Sequence, residues 1–495
     1  MSDLAEFLKK TKLANVIPVI ETLPADLLTP LSVYLKLSTN EENSFLLESV
    51  EGGESVARYS FIGVDPRMIV SGSDESVIIH DNSNETSQAI SMFAFLREHF
   101  RINKVLQDNE MPSFVGGAIG FLDFSCSAWF EPSLKKQDAH KNNASKSAFM
   151  FFRSLVAFDH AKQVIKIISL VFTDESSDDL KKLETLYENA LSANIKIKDV
   201  LENQPISLPL SNPALSNGDI RSNWKQPEFE NAVREIKELI SAGECYQVVI
   251  SQRFTKPTCA SAVSIYRAMR SLNPSPYMFL LKIGEKSIIG ASPEMLVRSR
   301  GNKLEYRPIA GTRPRGKTRE EDAQLADEMR ADKKEVAEHM MLVDLGRNDL
   351  GRVAEFGSIR VKDMMSVEKY SHVQHLVSYL SADLRDGCDR FDALASCFPA
   401  GTVSGAPKVR AIEIIQELEP TPRGVYAGAV GYFDYSGNMD TCIAIRTLVL
   451  ENGEAQIQAG AGIVADSVPA LEYQETINKA KALLKAIEIA ENEKF

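Results

Sequence analysis

The sequence predicts an α+β layered fold, and three observations carry the prediction. Short β-like runs dominate the first part of the chain, a proline-rich polar crossing interrupts it, and long charged helical segments are grouped towards the end. Strands and helices that come in runs build packed layers, whereas strict βαβ alternation builds a parallel sheet.

In chain order, Ser44–Leu47, Met68–Val70, Val77–His80, Phe149–Ala157 and Gln163–Phe172 read as strands. Glu131 to Ser147 is polar and reads as an exposed loop inside this first part. From Glu202 to Ser222, Pro205, Pro209 and Pro213 stand among Ser, Asn and Gly. Proline neither continues a helix nor donates to a sheet ladder, so this stretch reads as a linker. It divides the chain into an N-terminal part (1–203), a linker (204–223) and a C-terminal part (224–495). Pro227 to Ala242 is a helix candidate: Pro227 suits its first turn, Phe229, Val233, Ile236 and Ile240 share one face, and Gly243 can end it. Tyr246–Phe254, Met278–Ile283, Ser287–Ile289 and Met295–Ser299 read as antiparallel strands, followed by helices near Thr318–Asp344, Lys408–Gln416 and Ala470–Asn492.

Composition narrows the function classes. A chain of 495 residues can bury a large core, and 44% hydrophobic with 25% charged residues is ordinary for a soluble globular protein. The net charge of -12 argues against a nucleic-acid partner, which wants a basic surface. No segment reaches the ~20 apolar residues of a membrane span. Met1 to Lys12 lacks the apolar core of a signal peptide. The six cysteines are scattered with no C-x-x-C pair, the usage expected of reduced thiols in the cytoplasm.

Two acidic pairs share one spacing, Glu335 with Glu338 and Glu472 with Glu475. Residues three apart share a helix face, so each pair points two carboxylates one way. Two such faces brought together favour a hard cation such as Mg²⁺. The alternative is a pair of solvated helix faces beside lysines such as Lys333 and Lys334. Gly401 to Lys408 is a Gly/Ser/Thr loop opening a helix, where free N–H groups attract anions, or it is a plain turn and cap. Gly460 and Gly462 allow close backbone approach to a ligand, or form a bulge. Arg446 ends an apolar strand and could clamp a carboxylate through two parallel hydrogen bonds. Among seven histidines, His375 stands out weakly, and no nucleophile elbow is present.

Together, Cys245–Val249, Ala291–Glu294, Arg307–Arg315, Glu338–Leu345, Gly401–Lys408 and Gln458–Val464 resemble the chorismate-utilising enzymes, in order from about Gln226 to Ile487. Within that family the anthranilate synthase branch is the best match. The resemblance places lysine at the Gln247 position of isochorismate- and salicylate-forming relatives, where it activates water. Aminodeoxychorismate synthase carries a nucleophilic lysine where this chain has Ala310. Leu46–Ser49 and Asn273–Met278 look like the family's tryptophan-feedback pocket.

The resemblance implies an α/β/β/α antiparallel β-sandwich with helices on the outer faces. It implies amination of chorismate at C2 and elimination of pyruvate to give anthranilate, at the head of tryptophan biosynthesis. Glu294 would be the general acid, with His375 serving the elimination and Thr402 completing the catalytic set. Gly311, Thr312, Tyr426, Arg446, Gly460, Ala461, Gly462 and Lys479 would bind substrate. Glu338 and Glu475 would hold Mg²⁺, supported by Glu335 and Glu472. Glu48, Ser49, Pro276, Tyr277 and Met278 would contact tryptophan. Ammonia would come from a separate glutamine amidotransferase subunit, in a cytoplasmic heterotetramer of two large and two small subunits. The rival readings are an aminodeoxychorismate synthase of the folate branch and a non-catalytic tryptophan-binding regulator. One departure is Ser467–Leu471, which precedes Glu472 where relatives are often more acidic.

Overall fold

The computed structural model describes residues 4–39, 41–49, 58–81, 84–106, 111–136, 146–176, 179–209, 218–370 and 373–492. Two twelve-stranded sheets form its centre, and their strands pair antiparallel. The first sheet runs from Val16–Pro24 through Val164–Phe172, Ser154–Asp159, Tyr59–Val64 and Asn43–Glu48. It continues through Tyr277–Ile283, Lys286–Ser292, Thr447–Glu451, Glu454–Ile463 and Gln247–Pro257. Strands from both sides of the proline-rich crossing therefore share one sheet, with Leu46 opposite Leu280. The second sheet is joined in the same way, where Gly117–Leu122 pairs with Ala429–Asp434. Residues 210–217 of that crossing lie outside the described residues.

Period-two alternation separates two apolar layers. Phe45, Phe279, Leu281 and Ile288 join the large core between the sheets. Their neighbours Leu46, Leu280 and Ile289 face the opposite way, under the helices Pro30–Leu37, Leu180–Asn203, Ala262–Leu272 and Pro469–Glu491. A sheet buried on both faces needs a helical cover, which is the expected α/β/β/α layering.

Three element assignments need correction. Phe149–Ala157 is not one strand: Ser147–Phe152 belongs to the second sheet and Ser154–Asp159 to the first, with the chain crossing at Arg153. Every residue of Ser147–Phe152 is buried, so no polar alternation marks the crossing. Thr318–Asp344 is two helices, Arg319–Ala331 and Lys333–Gly351. Asp332 separates them, its side chain accepting from the N–H groups of Lys334 and Glu335 as an N-cap. The helix Leu180–Asn203 is absent from the sequence reading. Glu131–Ser147 begins with a short 3₁₀ segment at Pro132–Lys136, and residues 137–145 lie outside the described residues.

Candidate active site

Both sheets and three helices converge on a cavity of about 650 Å³. Glu294, Gly311, Thr312, Glu338, His375, Thr402, Tyr426, Arg446, Gly460, Gly462, Glu472, Glu475 and Lys479 all line it. Gln247 and Ala310 line it too. The side chains of Ala461 and Glu335 do not line it. The side chain of Ala461 alternates into the core between the sheets. Glu335, expected as a support, pairs with Arg313, whose Nη1 donates to its Oε1 at 2.9 Å, and its Oε2 lies 3.1 Å from where a Cβ on Gly311 would stand.

The two glycines of the Glu454–Ile463 strand are explained by close approach. A Cβ on Gly460 would lie 2.8 Å from the Tyr426 hydroxyl, and one on Gly462 2.5 Å from Nε2 of Gln247. Gly311 has φ of +63°, in a register irregularity of the Ile309–Pro314 strand. That left-handed backbone suits glycine and turns its carbonyl towards His375.

The carbonyl of Gly311 lies 2.8 Å from Nδ1 of His375. A carbonyl can only accept, so Nδ1 carries the proton and Nε2 keeps its lone pair. Burial lowers the imidazole pKa, which keeps the ring neutral. Glu294 is buried, and burial pushes its carboxyl up to about 8. The nearby Thr402 hydroxyl opposes that shift, although its buried Oγ1 makes no well-aligned hydrogen bond.

Arg446 has φ of +50°, just after a tight turn in which Ile445 N–H donates to Ile443 C=O at 2.8 Å. Its Nη1 donates to the Lys479 carbonyl at 2.9 Å. Burial lowers its pKa, and among the described residues no carboxylate forms an ion pair with it. Lys479 bridges the Gly460 carbonyl at 2.9 Å and Glu475 Oε1 at 2.6 Å. A desolvated guanidinium without its own counter-ion is prepared for an anionic ligand.

Glu338 stays open to the cavity, yet its pKa is raised by desolvation first, then by the charges of Glu335 and Glu475. Burial and Glu475 also raise Glu472, against the Ser467 hydroxyl. These carboxylates repel one another and offer only oxygen, the donor set of a hard cation. Among the described residues, no group of three acidic, histidine or cysteine side chains is close enough to hold an ion unaided. The set fits Mg²⁺, which takes one or two carboxylates and completes its shell with water and substrate oxygens.

Lys408 of the Gly401–Lys408 segment points elsewhere, its Nζ 2.9 Å from buried Asp349. Lys334, Asp466 and Ser467 also line the cavity, although none was expected as a site residue. Ser467 opens, and Asp466 adjoins, the Ser467–Leu471 segment noted in the sequence, the one signal that pointed to them.

A second cavity, of about 770 Å³, gathers Glu48, Ser49, Pro276, Tyr277 and Met278. Arg298, Tyr432 and Asp440 complete it, from strands distant in sequence and without a local motif. Tyr277 donates to Asp440 Oδ1 at 3.0 Å, and Arg298 Nε to its Oδ2 at 3.0 Å. The Ser49 hydroxyl is buried without a hydrogen-bond partner among the described residues.

A two-sheet sandwich with one cavity lined by both acidic and cationic side chains suits a small anionic ligand. Residues 42–485 match the family of chorismate binding enzymes, and the chain belongs to that family. It is 44% identical to anthranilate synthase component 1 of Pseudomonas putida over 98% of both chains. The same component from Aquifex aeolicus is 43% identical over 99% of this chain and 98% of its own. Among solved structures, anthranilate synthase component I from Streptococcus pneumoniae TIGR4 superposes with a TM-score of 0.73 at 36% identity, covering 94% of this chain and 99% of that one. The menaquinone-specific isochorismate synthase of Escherichia coli shares the fold, with a TM-score of 0.70 at 20% identity over 96% of this chain and 95% of its own.

Proposed function

We propose that the chain is the chorismate-aminating subunit of an anthranilate synthase, using Mg²⁺ and inhibited by tryptophan. The observation that carries this reading is the pairing of Arg446, a cation without a carboxylate partner, with the neutral Glu294 and His375 in one cavity. Arg446, Tyr426 and the Gly460–Gly462 backbone bind the enolpyruvyl carboxylate. Glu338 and Glu475 would hold Mg²⁺, which when bound neutralises the ring carboxylate.

With a pKa near 8, Glu294 is protonated at neutral pH and can give its proton to the departing C4 hydroxyl as ammonia bonds to C2. His375 Nε2 then takes the proton from the amine-bearing carbon while the C–O bond to the enolpyruvyl group breaks. The ring becomes aromatic, and the enol leaves to become pyruvate. Gln247 and Ala310 favour this course, since neither offers the amine that would activate water or form a covalent ring adduct. Ammonia comes from a separate amidotransferase component, in a cytoplasmic heterotetramer, and tryptophan occupies the second cavity. Among the described residues, no helix is long and apolar enough to cross a membrane.

The test is fluorescence-detected anthranilate formation from chorismate, MgCl₂ and ammonium salt, with and without chelator and tryptophan. Anthranilate that disappears with chelator and falls with tryptophan is the expected result. An aminated product that keeps its pyruvate moves the reading to the aminodeoxychorismate branch. Tryptophan binding without turnover would favour a regulator.

A further inference from the structure

Behind the cavity lies a buried ion pair between two residues given no chemical role above. The side chains of Arg423 and Glu419 are 1% and 4% exposed. Arg423 Nε donates to Glu419 Oε2 at 2.9 Å and Nη2 to Oε1 at 2.7 Å, a two-pronged contact. Arg423 lies in the loop that follows the helix Lys408–Leu418, and its remaining bonds reach other elements. Nη1 reaches the Val403 carbonyl at 2.7 Å and Nη2 the Val249 carbonyl at 2.6 Å. Its Cζ also lies 5.6 Å from the centre of the Tyr426 ring. Val249, Val403 and Tyr426 are three separate walls of the cavity.

Glu419 extends the same pattern. Its Oε1 accepts from both the N–H and the hydroxyl of Ser251, each at 2.7 Å. The Ser251 hydroxyl in turn accepts from Nε2 of Gln458, a fourth wall residue, at 2.7 Å. A buried ion pair is a poor source of net stability, because desolvating both charges offsets their attraction. Its usual gain is a single geometry, and here every arm fixes a piece of the cavity lining.

We propose that Arg423 and Glu419 are positioning residues, which hold the Val249 strand, the Gly401–Ser404 turn with Thr402, and the Tyr426 ring at fixed separation around the substrate. Neither touches the substrate. The inference rests on the cavity being the chorismate site for its kinetic consequence, but not for its structural one.

The test compares Arg423→Lys and Glu419→Gln in the full chain with Tyr187→Leu. Tyr187 packs in a separate small core with Phe7, so its variant is a control for general destabilisation. Hydrogen exchange is followed by mass spectrometry without ligand, and the Kd for chorismate by calorimetry with Mg²⁺. Arg423→Lys keeps the charge but loses the fork, and is expected to speed amide exchange about tenfold in peptides covering 247–252 and 401–406. It should also raise Kd and KM about tenfold while kcat changes less than threefold. Glu419→Gln, which keeps an acceptor for Ser251, should shift both in the same direction by about threefold and decides the matter if Arg423→Lys does not fold. Wild-type exchange and Kd in the folded variants would overturn the proposal. So would equal changes in Tyr187→Leu. Wild-type protein that makes no anthranilate would refute the catalytic reading alone, and the exchange arm would still judge the positioning role.

Discussion

The carbonyl oxygen of Gly311 and Nδ1 of His375 are 2.8 Å apart, and this contact fixes the tautomer of the imidazole. The nitrogen left as an acceptor is Nε2, so His375 suits proton removal. In a His375→Gln variant, anthranilate formation is expected to fall at least ~10²-fold, the size of a lost general base. The aminated, pyruvate-retaining intermediate should build up instead, detected by chromatography of the quenched reaction. Loss of all chorismate consumption would show that His375 acts before the elimination.

Glu294 supplies a pH dependence of definite sign. Its carboxyl is raised to about 8, so the proton needed by the leaving hydroxyl is present below that pH and lost above it. With free ammonia held constant, kcat/KM is expected to fall on the alkaline side with a midpoint near 8. Glu294→Gln should lower the rate ~10² to 10⁴-fold and abolish that limb. An unchanged alkaline limb in the residual activity would assign it to another group.

Glu475 shares its charge with Lys479 at 2.6 Å and raises the pKa of both Glu338 and Glu472. Glu475→Gln is therefore expected to raise the Mg²⁺ concentration for half-maximal activity at least ~10-fold, in line with the loss of a ligand or its support. Titration with MgCl₂ at fixed chorismate reads this directly. A variant with wild-type Mg²⁺ dependence would remove Glu475 from the metal site.

In the second cavity Asp440 joins Tyr277 and Arg298, each at 3.0 Å. Asp440→Asn leaves Arg298 short of one charge partner and should raise the tryptophan concentration for half-inhibition about tenfold, roughly 1.4 kcal/mol. Activity without tryptophan should stay within twofold of wild type. Dose–response curves of the two proteins make the comparison.

Gly462→Ala places a methyl group 2.5 Å from Nε2 of Gln247, a contact that must be relieved by moving the glutamine. The expected outcome is a higher KM for chorismate and a stability loss of ~1–3 kcal/mol, the range of an overpacked site. Thermal unfolding and steady-state kinetics separate the two effects.

Much of this geometry was legible because its residues sit in short contiguous strings. Gln458–Val464 and Ala291–Glu294 each bring their own strand or turn, so naming the string already placed the side chains. The acidic pairs were legible for a similar reason, since three-residue spacing survives from sequence to helix face. The ion pair of Glu335 with Arg313 was not legible, because it depends on a strand twenty-two positions away. Asp440 and Arg298 were invisible for the same reason: they meet only when two strands of the second sheet pair. The crossing at Arg153 was hidden by uniform burial, since a run with no polar face carries no period. Arg423 and Glu419 fall on no motif at all, because their significance is set by which carbonyls the fold brings to them.

The interleaving of early and late strands has a consequence during synthesis. Strand Asn43–Glu48 finds its partner Tyr277–Ile283 only after about 230 further residues have been made, and Gly117–Leu122 waits about 310 residues for Ala429–Asp434. At the ~5–20 residues per second of translation, those delays run from roughly ten seconds to a minute. For that interval a nascent chain rich in phenylalanine presents open sheet edges, the surfaces most prone to pair with a neighbour. Chaperone supply and translation speed, more than the stability of the finished sandwich, would then set how much of this protein a cell can accumulate.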